Sequence, residues 1–172
     1  MKTRSIFQIA ALLLFVITTD LRAQMTGPVA VGFRANPDGG GFSAKFFPQK
    51  HLAIETQLNA GLSYYNGPGV AFVGLVEYHI ILPDPSWRIF IGPGAHVGMW
   101  ERNSESRSQA IFGVDAIFGA EYVFKSVPIG LSADIKPAIN FAQDVAMYPN
   151  NFFGLSARYY LGHRMPPPPP IR

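Results

Sequence analysis

The sequence of 172 residues contains no cysteine, so disulfides and thiolate metal sites are both excluded. The remaining candidates for metal binding are the four histidines, His51, His79, His96 and His163. The first three fall on what we predict to be the inner faces of β-strands, and the fourth lies in a C-terminal tail. A metal site needs several ligands at one height. We instead expect the histidines to pair with Glu55 or Glu77, and we predict no metal and no cofactor.

Serine chemistry is equally poorly supported. A nucleophilic serine needs an accessible base beside it. Ser132 and Ser156 are predicted on the inner face, and no histidine is predicted on the outer face, where a lipid substrate would lie. The stretch Gly92-Pro93-Gly94 is not followed by a predicted helix, which a phosphate-binding loop would require. The sequence therefore predicts no enzymatic activity.

The charged residues form a more informative set, because ten of them fall on one side of alternating strands. The basic members are Arg34, Lys45, Arg88, Lys136 and Arg158, and the acidic members are Glu55, Glu77, Asp115, Glu121 and Asp134. The assignment rests on alternation alone, yet the charges balance. Unpaired buried charge is costly, so such residues must pair if that face is enclosed. We predict a charge network in a lumen; the alternative is coincidence on a solvated sheet face.

These charges depend on strands that place them on one side. Apolar residues occupy every second position from Ile129 to Phe141, and small, polar or charged residues lie between them. A period of two indicates a strand with one apolar and one polar face. The strand predicted over Val127–Ala142 exceeds the ordinary length of about 5–6 residues and suffices to cross a bilayer at a tilt, which takes about 9–11. We therefore predict its apolar side in lipid and its polar side inside a closed barrel.

Seven further strands show the same alternation and complete the predicted fold. The eight strands are Val29–Ala35, Phe42–Phe47, His51–Tyr65, Gly69–Leu82, Trp87–Glu101, Gln109–Phe124, Val127–Ala142 and Asn151–Leu161. A turn is predicted over Asn36–Gly41. The three short connections, Pro48–Lys50, Pro83–Ser86 and Lys125–Ser126, alternate with four longer ones, as expected of a barrel with short periplasmic turns. The predicted fold is an all-β, closed, up-and-down antiparallel eight-stranded transmembrane β-barrel.

Outward-facing aromatic residues collect towards the strand ends in two girdles, as a membrane interface predicts. Those near the short turns are Phe46, Tyr78, Trp87, Tyr122, Phe124 and Tyr159, and those near the opposite rim are Tyr64, Phe141 and Phe153. Inward-facing glycines are expected to leave room for long Arg and Glu side chains. They are Gly61, Gly92, Gly94, Gly98, Gly113, Gly119 and Gly130.

The chain divides into three predicted regions. Residues 1–23 have a basic start, an apolar run over Ile6–Thr19 and a small residue, Ala23, before a cleavage point, which indicates an export signal. That run is shorter than the roughly 20 residues of a spanning helix. Residues 24–162 form the barrel, and residues 163–172 form a proline-rich tail with five consecutive prolines. The formal charge of +3, without a Lys/Arg cluster, gives no reason to expect nucleic-acid binding.

Four stretches, Phe90–Gly98, Gly113–Phe124, Pro128–Phe141 and Gly154–Tyr160, resemble the small eight-stranded outer-membrane β-barrel family of OmpA-like, OmpX-like and opacity-type, porin-like proteins. The resemblance implies a location in the outer membrane, lipid of that membrane as a partner, and insertion by the barrel-assembly machinery. The chain departs from the family in one respect. Such barrels commonly end on an aromatic residue, whereas here Tyr159-Tyr160 is followed by the proline-rich tail.

The expected role is structural, or surface contact through the longer loops, of which Arg102–Ser108 is the most polar. Two alternatives stay open. One is a small pore or ligand carrier. The other is a soluble, secreted, lipocalin-like barrel, which would need the aliphatic face inward and residues such as Arg88, Asp134 and Lys136 in water.

Overall fold

The computed structural model describes residues 28–37, 39–63, 67–101, 108–141, 146–147 and 152–161. The predicted export signal, the proline-rich tail, Tyr64 and most of the Arg102–Ser108 loop lie outside these residues. Within the described ranges, no α-helix has the length and hydropathy needed to cross a membrane.

Antiparallel strands make up the described chain. Their bounds are β1 Val29–Asn36, β2 Gly39–Gln49, β3 Leu52–Ser63, β4 Gly67–Ile81, β5 Trp87–Glu101, β6 Ser108–Val123, β7 Ile129–Ile135, β8 Ala138–Asn140, β9 Ala146–Met147 and β10 Phe153–Leu161. Pairing runs from β5 through β4, β3, β2, β1, β10 and β7 to β6, and β6 pairs back with β5. This ring of hydrogen-bonded neighbours has no free edge.

The ten segments form eight wall strands. β7 and β8 both pair with β6 in one continuous register, since Ile135 faces Phe118 and Ala138 faces Asp115. β9 pairs with β8 and β10 pairs with β7, so both segments lie along the same side of this wall strand. The predicted closed, eight-stranded antiparallel fold is confirmed.

The strand predicted over Val127–Ala142 begins at Ile129 and is interrupted at Lys136 and Pro137. Proline has no N–H to donate to a ladder, but the carbonyl of Pro137 accepts a hydrogen bond from the N–H of Ala116 at 3.0 Å. On the other side, the N–H of Lys136 donates to the carbonyl of Phe152 at 2.6 Å. The interruption therefore leaves the wall closed.

The first predicted turn, Asn36–Gly41, is too long. Strand β2 already starts at Gly39, which faces Asn36 across the hairpin, and its first three glycines also pair with β3. Pairing on both sides thus overrides the turn signal of the glycines. Gly39 has a φ of 152°, a conformation that favours glycine.

The barrel has apolar side chains outside and polar side chains inside, the reverse of a soluble protein. Large apolar residues cover the outside, with Phe33 and Phe42 each more than 60% exposed, while Lys45 and Glu55 inside are fully buried. No described strand residue that is exposed on the outer face is charged. The alternation predicted from the sequence therefore gives an apolar outer wall and a polar lumen.

Aromatic contacts mark both ends of the outer wall. Near the short turns, Tyr122 lies 5.0 Å from both Trp87 and Phe124, measured between ring centroids. Near the other end, Phe33 lies 4.5 Å from Phe42.

The exposed charges that the structure describes are confined to the short turns. Asp84 and Lys125 form an ion pair of 3.1 Å between two of these turns. The N–H of Ser86, followed by Lys125, lowers the pKa of Asp84.

Substitutions at two glycines test the pairing of β1 with β10, which closes the barrel. A Cβ on Gly32 would overlap the carbonyl of Ala157 and come within 2.7 Å of the Cα of Arg158, whereas a Cβ on Gly74 would meet nothing within 4 Å. We expect Gly32→Ala to lower the free energy of unfolding by about 1–3 kcal/mol through overpacking. We expect Gly74→Ala to change it by less than about 0.5 kcal/mol. Urea unfolding in detergent micelles measures both, and equal effects would contradict the described pairing.

Candidate functional site: the lumen charge network

Glu55 joins two buried cations at the centre of the lumen. Its Oε1 lies 2.6 Å from Nη2 of Arg158, and its Oε2 lies 3.1 Å from Nζ of Lys45. Nζ of Lys45 also lies 2.7 Å from Oε2 of Glu77. Lys45 and Glu55 face each other across β2 and β3, whereas Arg158 reaches them from β10. These residues form what we call the central network.

Arg158 connects the central network to other strands through neutral groups. Its Nε donates to Ser43 Oγ at 2.8 Å, Nη1 donates to Ser132 Oγ at 2.8 Å, and Nη2 donates to Ser156 Oγ at 3.2 Å. Nη1 also lies 3.8 Å from the carboxylate of Glu121 on β6. A guanidinium with this many partners on several strands is held in a single orientation.

A second set of ion pairs, the loop-end network, lies towards the end of the barrel where the longer connections occur. Arg34 binds Asp134 with two hydrogen bonds, from Nη2 at 2.6 Å and from Nε at 3.2 Å. The guanidinium lies against Gly154, where a Cβ would overlap it. Glycine at this position on β10 therefore allows the two-point contact, which is the strong geometry for this ion pair.

The loop-end network also contains Lys136, Asp115 and His96. Nζ of Lys136 donates to Asp115 at 3.0 Å, and Nδ1 of His96 lies 2.8 Å from the same carboxylate. Nε2 of His96 contacts Asn140. A cavity of about 50 Å³ beside these residues is also lined by Asn59, and this is room for a few waters.

Nine of the ten predicted lumen charges thus make ion pairs, and Arg88 is the exception. Its side chain is half-buried near the short turns, with the guanidinium carbon 5.6 Å from the ring centre of Phe47 and 5.9 Å from that of Tyr160. Its Nε has no hydrogen-bond partner among the described residues. Glu121 faces Arg88 across β5 and β6, but the carboxylate of Glu121 is directed towards Arg158.

His79 lies where the sequence predicts it, whereas His51 does not. His79 is fully buried, and its Nε2 lies 2.9 Å from Glu77, as the sequence suggested. His51 was predicted to face inward, and this is wrong. It is exposed in the turn before β3 and stacks on Tyr78 at 5.9 Å, while its Nδ1 donates to the carbonyl of His79 at 2.8 Å. Alternation does not extend into a turn, which explains the error.

Sequence reasoning missed the role of His96 and the polar neutral residues of the lumen. Gln57 donates to Glu55 at 2.8 Å, and Ser43 donates to the same oxygen at 2.8 Å. Each of these residues occupies an inward position in the period of two, so the signal for burial was present. The signal for their partners was not, because a period of two does not say which inward side chains meet; the contact of His96 with Asn140, for example, joins residues 44 positions apart.

Two clusters of buried apolar side chains accompany the charge networks inside the barrel. One cluster consists of Val73, Leu75, Phe90 and Ile117, and the other of Ala30, Phe47, Ala53, Val123 and Tyr160. In the first, Phe90 lies 4.4 Å from Nζ of Lys45. In the second, Phe47 and Tyr160 stack at 6.0 Å. Both clusters lie on the inner faces of the strands, in a barrel whose width leaves room for side chains.

Three of the inward glycines lie against apolar or aromatic side chains, whereas we predicted that they would make room for Arg and Glu. A Cβ on Gly94 would overlap Leu75, one on Gly119 would overlap Phe90, and one on Gly130 would lie 2.8 Å from the ring of Tyr160. Only Gly154, which the prediction omitted, makes room for an arginine in this way among the glycines that the structure describes.

Neither metal chemistry nor serine chemistry finds support in the described residues. No three of His, Asp and Glu converge there to hold a metal ion. Ser132 and Ser156 are buried, and both accept hydrogen bonds from Arg158. A serine in this position is enclosed and distant from any substrate outside the barrel.

Solved structures similar to this barrel include the N-terminal β-barrel domain of Pseudomonas aeruginosa OprF. The two share 13% sequence identity and a TM-score of 0.62, over 80% of this chain and 98% of that chain. The fold is that of the small eight-stranded outer-membrane β-barrels. Neisserial surface protein A (NspA) is also similar, with 13% identity and a TM-score of 0.48 over 78% of this chain and 93% of that chain. No family model and no curated protein matches the sequence.

Removing the charge of Glu55 tests the central network. We expect Glu55→Gln to lower the free energy of unfolding by about 3–5 kcal/mol, because it leaves Lys45 and Arg158 without a shared buried carboxylate. Urea unfolding in micelles gives this value. The matched control is Asp84→Asn, which removes an exposed carboxylate from a surface pair and should have little effect. Equal losses in the two variants would show that the central network does not stabilise the barrel.

Proposed function

We propose that the protein is an integral outer-membrane protein whose barrel spans the membrane as a closed, non-enzymatic anchor. The observation that carries this proposal is the distribution of side chains, with paired charges inside and an uncharged apolar wall outside. The structural likeness to an outer-membrane barrel domain supports the same location.

The physical argument concerns the solvent outside the wall. A monomer in water rarely exposes a continuous apolar surface of more than a few hundred Å², and here Phe33, Met99 and Leu155 are each more than half exposed along with many neighbours. In lipid the same surface is favourable, provided that every backbone group is satisfied within the wall. A closed ladder meets this condition. The lipocalin-like alternative requires the opposite orientation of the two faces.

The packed lumen favours an anchor over a pore. This proposal is supported by the buried apolar clusters around Phe90 and Tyr160, which lie inside the barrel together with the central network. A solute would have to displace these side chains, and with them the paired charges that they enclose.

The proposed role is therefore structural or one of surface contact. Residues 1–23 direct export, the barrel-assembly machinery inserts the chain, and outer-membrane lipid surrounds the wall. The short turns around Asp84 and Lys125 face the periplasm. The longer connections, including Arg102–Ser108, then face the exterior and are available to a surface partner.

A charge on the outer wall tests the membrane location. Val76 faces outward from β4 and is 48% exposed. We expect Val76→Arg to reduce insertion into lipid vesicles and to cost about 2–4 kcal/mol if the position lies near the midplane. Ser126→Arg, in an exposed short turn, is the control and should insert normally. The readouts are outer-membrane fractionation and the gel shift between boiled and unboiled samples. Recovery of the unaltered protein in the soluble fraction would refute the proposal.

Conductance distinguishes the anchor from the pore. Because the described lumen is filled, we expect the purified protein to give no discrete channels in planar bilayers. Folded protein, verified by its gel shift, must be used, so that an absence of channel openings does not reflect failed insertion. Reproducible unitary conductance from folded protein would favour the pore.

A further inference from the structure

The barrel has an open cavity of about 460 Å³ at the short-turn end, which we call the short-turn vestibule. It is lined by Phe47, Gln49, Lys50, Ile81 and Arg88 together with two prolines. Its volume is typical of small-molecule pockets. Phe47, one of its lining residues, stacks on Tyr160 with 6.0 Å between ring centroids.

Two cations line the short-turn vestibule, and none of its described lining residues is acidic. Other described charges near this end already have ion-pair partners. Asp84 and Lys125 pair with each other at 3.1 Å, and the fully buried Glu121 is directed towards Arg158. The vestibule therefore carries a positive charge that the described residues do not neutralise.

Arg88 packs against two aromatic rings at the short-turn end of the barrel. Its guanidinium lies over the rings of Phe47 and Tyr160, at 5.6 and 5.9 Å, and such stacking orients a cation without consuming its N–H donors. Its Nε is buried and has no hydrogen-bond partner among the described residues. A half-buried cation in this state gains free energy when an anion arrives.

We propose that the short-turn vestibule binds a phosphate group, with Arg88 as the principal ligand and Lys50 as a second cation. A planar guanidinium matches two phosphate oxygens at once, and Lys50 adds a point charge from an exposed turn. The group is either a free phosphate or the headgroup of an anionic phospholipid at the rim. Only the lipid source rests on the proposed membrane location.

The test uses the mature chain, folded in a non-ionic detergent, with inorganic phosphate and dihexanoyl-phosphatidylglycerol titrated separately by calorimetry. We expect saturable binding that Arg88→Gln weakens at least about tenfold, the scale of hydrogen bonds to a charged group. Lys50→Gln should weaken it about threefold, as expected for a more exposed charge. The control Lys125→Gln removes a rim cation outside the vestibule and should leave affinity within about twofold.

Each outcome of the titrations supports or overturns the proposed phosphate site. Binding of inorganic phosphate supports the site and shows that a free phosphate group is sufficient. Binding of the lipid alone supports the site and shows that the lipid headgroup is the source of the phosphate. Binding of neither probe, or equal affinities in unaltered protein and Arg88→Gln, overturns the proposal. If Arg88→Gln does not give the folded gel shift, Lys50→Gln carries the test, and unchanged affinity in that variant overturns the site. Phosphate binding by protein that fractionates as soluble would refute the membrane location and leave the site intact.

Discussion

Pairing of buried charges is the constraint on which the rest of this barrel depends. Glu55 lies between Lys45 and Arg158, and Arg34 binds Asp134, a hundred positions further along the chain. A slip of one residue in any of these strands would turn its charges outward. The ion pairs therefore stabilise the lumen and at the same time specify the register of strands that are distant in sequence.

The wall and the lumen satisfy this constraint together. Ring closure leaves no strand edge to be solvated, so the wall can tolerate an apolar surrounding. Inside, glycines such as Gly154 and Gly119 let large side chains lie flat against the backbone. Buried charged and apolar side chains share the interior, and this is the physical basis for proposing an anchor and not a channel.

Arg88 shows how a site can arise from a departure within an otherwise paired set. Its neighbour across the strands, Glu121, is directed towards Arg158, and aromatic rings replace the missing carboxylate. The cation is consequently available at the short-turn end. There the barrel has an open vestibule.

The sequence by itself determined the number of strands, the face of each strand and, to within a few residues, the positions of the short turns, because a period of two is a local property of the chain; the turn predicted over Pro48–Lys50 starts later, since β2 runs to Gln49. It also placed Arg34 and Asp134 inside without linking them. Only the tertiary structure decided which charges meet, that His51 leaves the lumen and that Arg88 forms no ion pair with a described residue. These outcomes depend on strand register and on height within a closed ring, and contacts across that ring join residues that no local pattern connects.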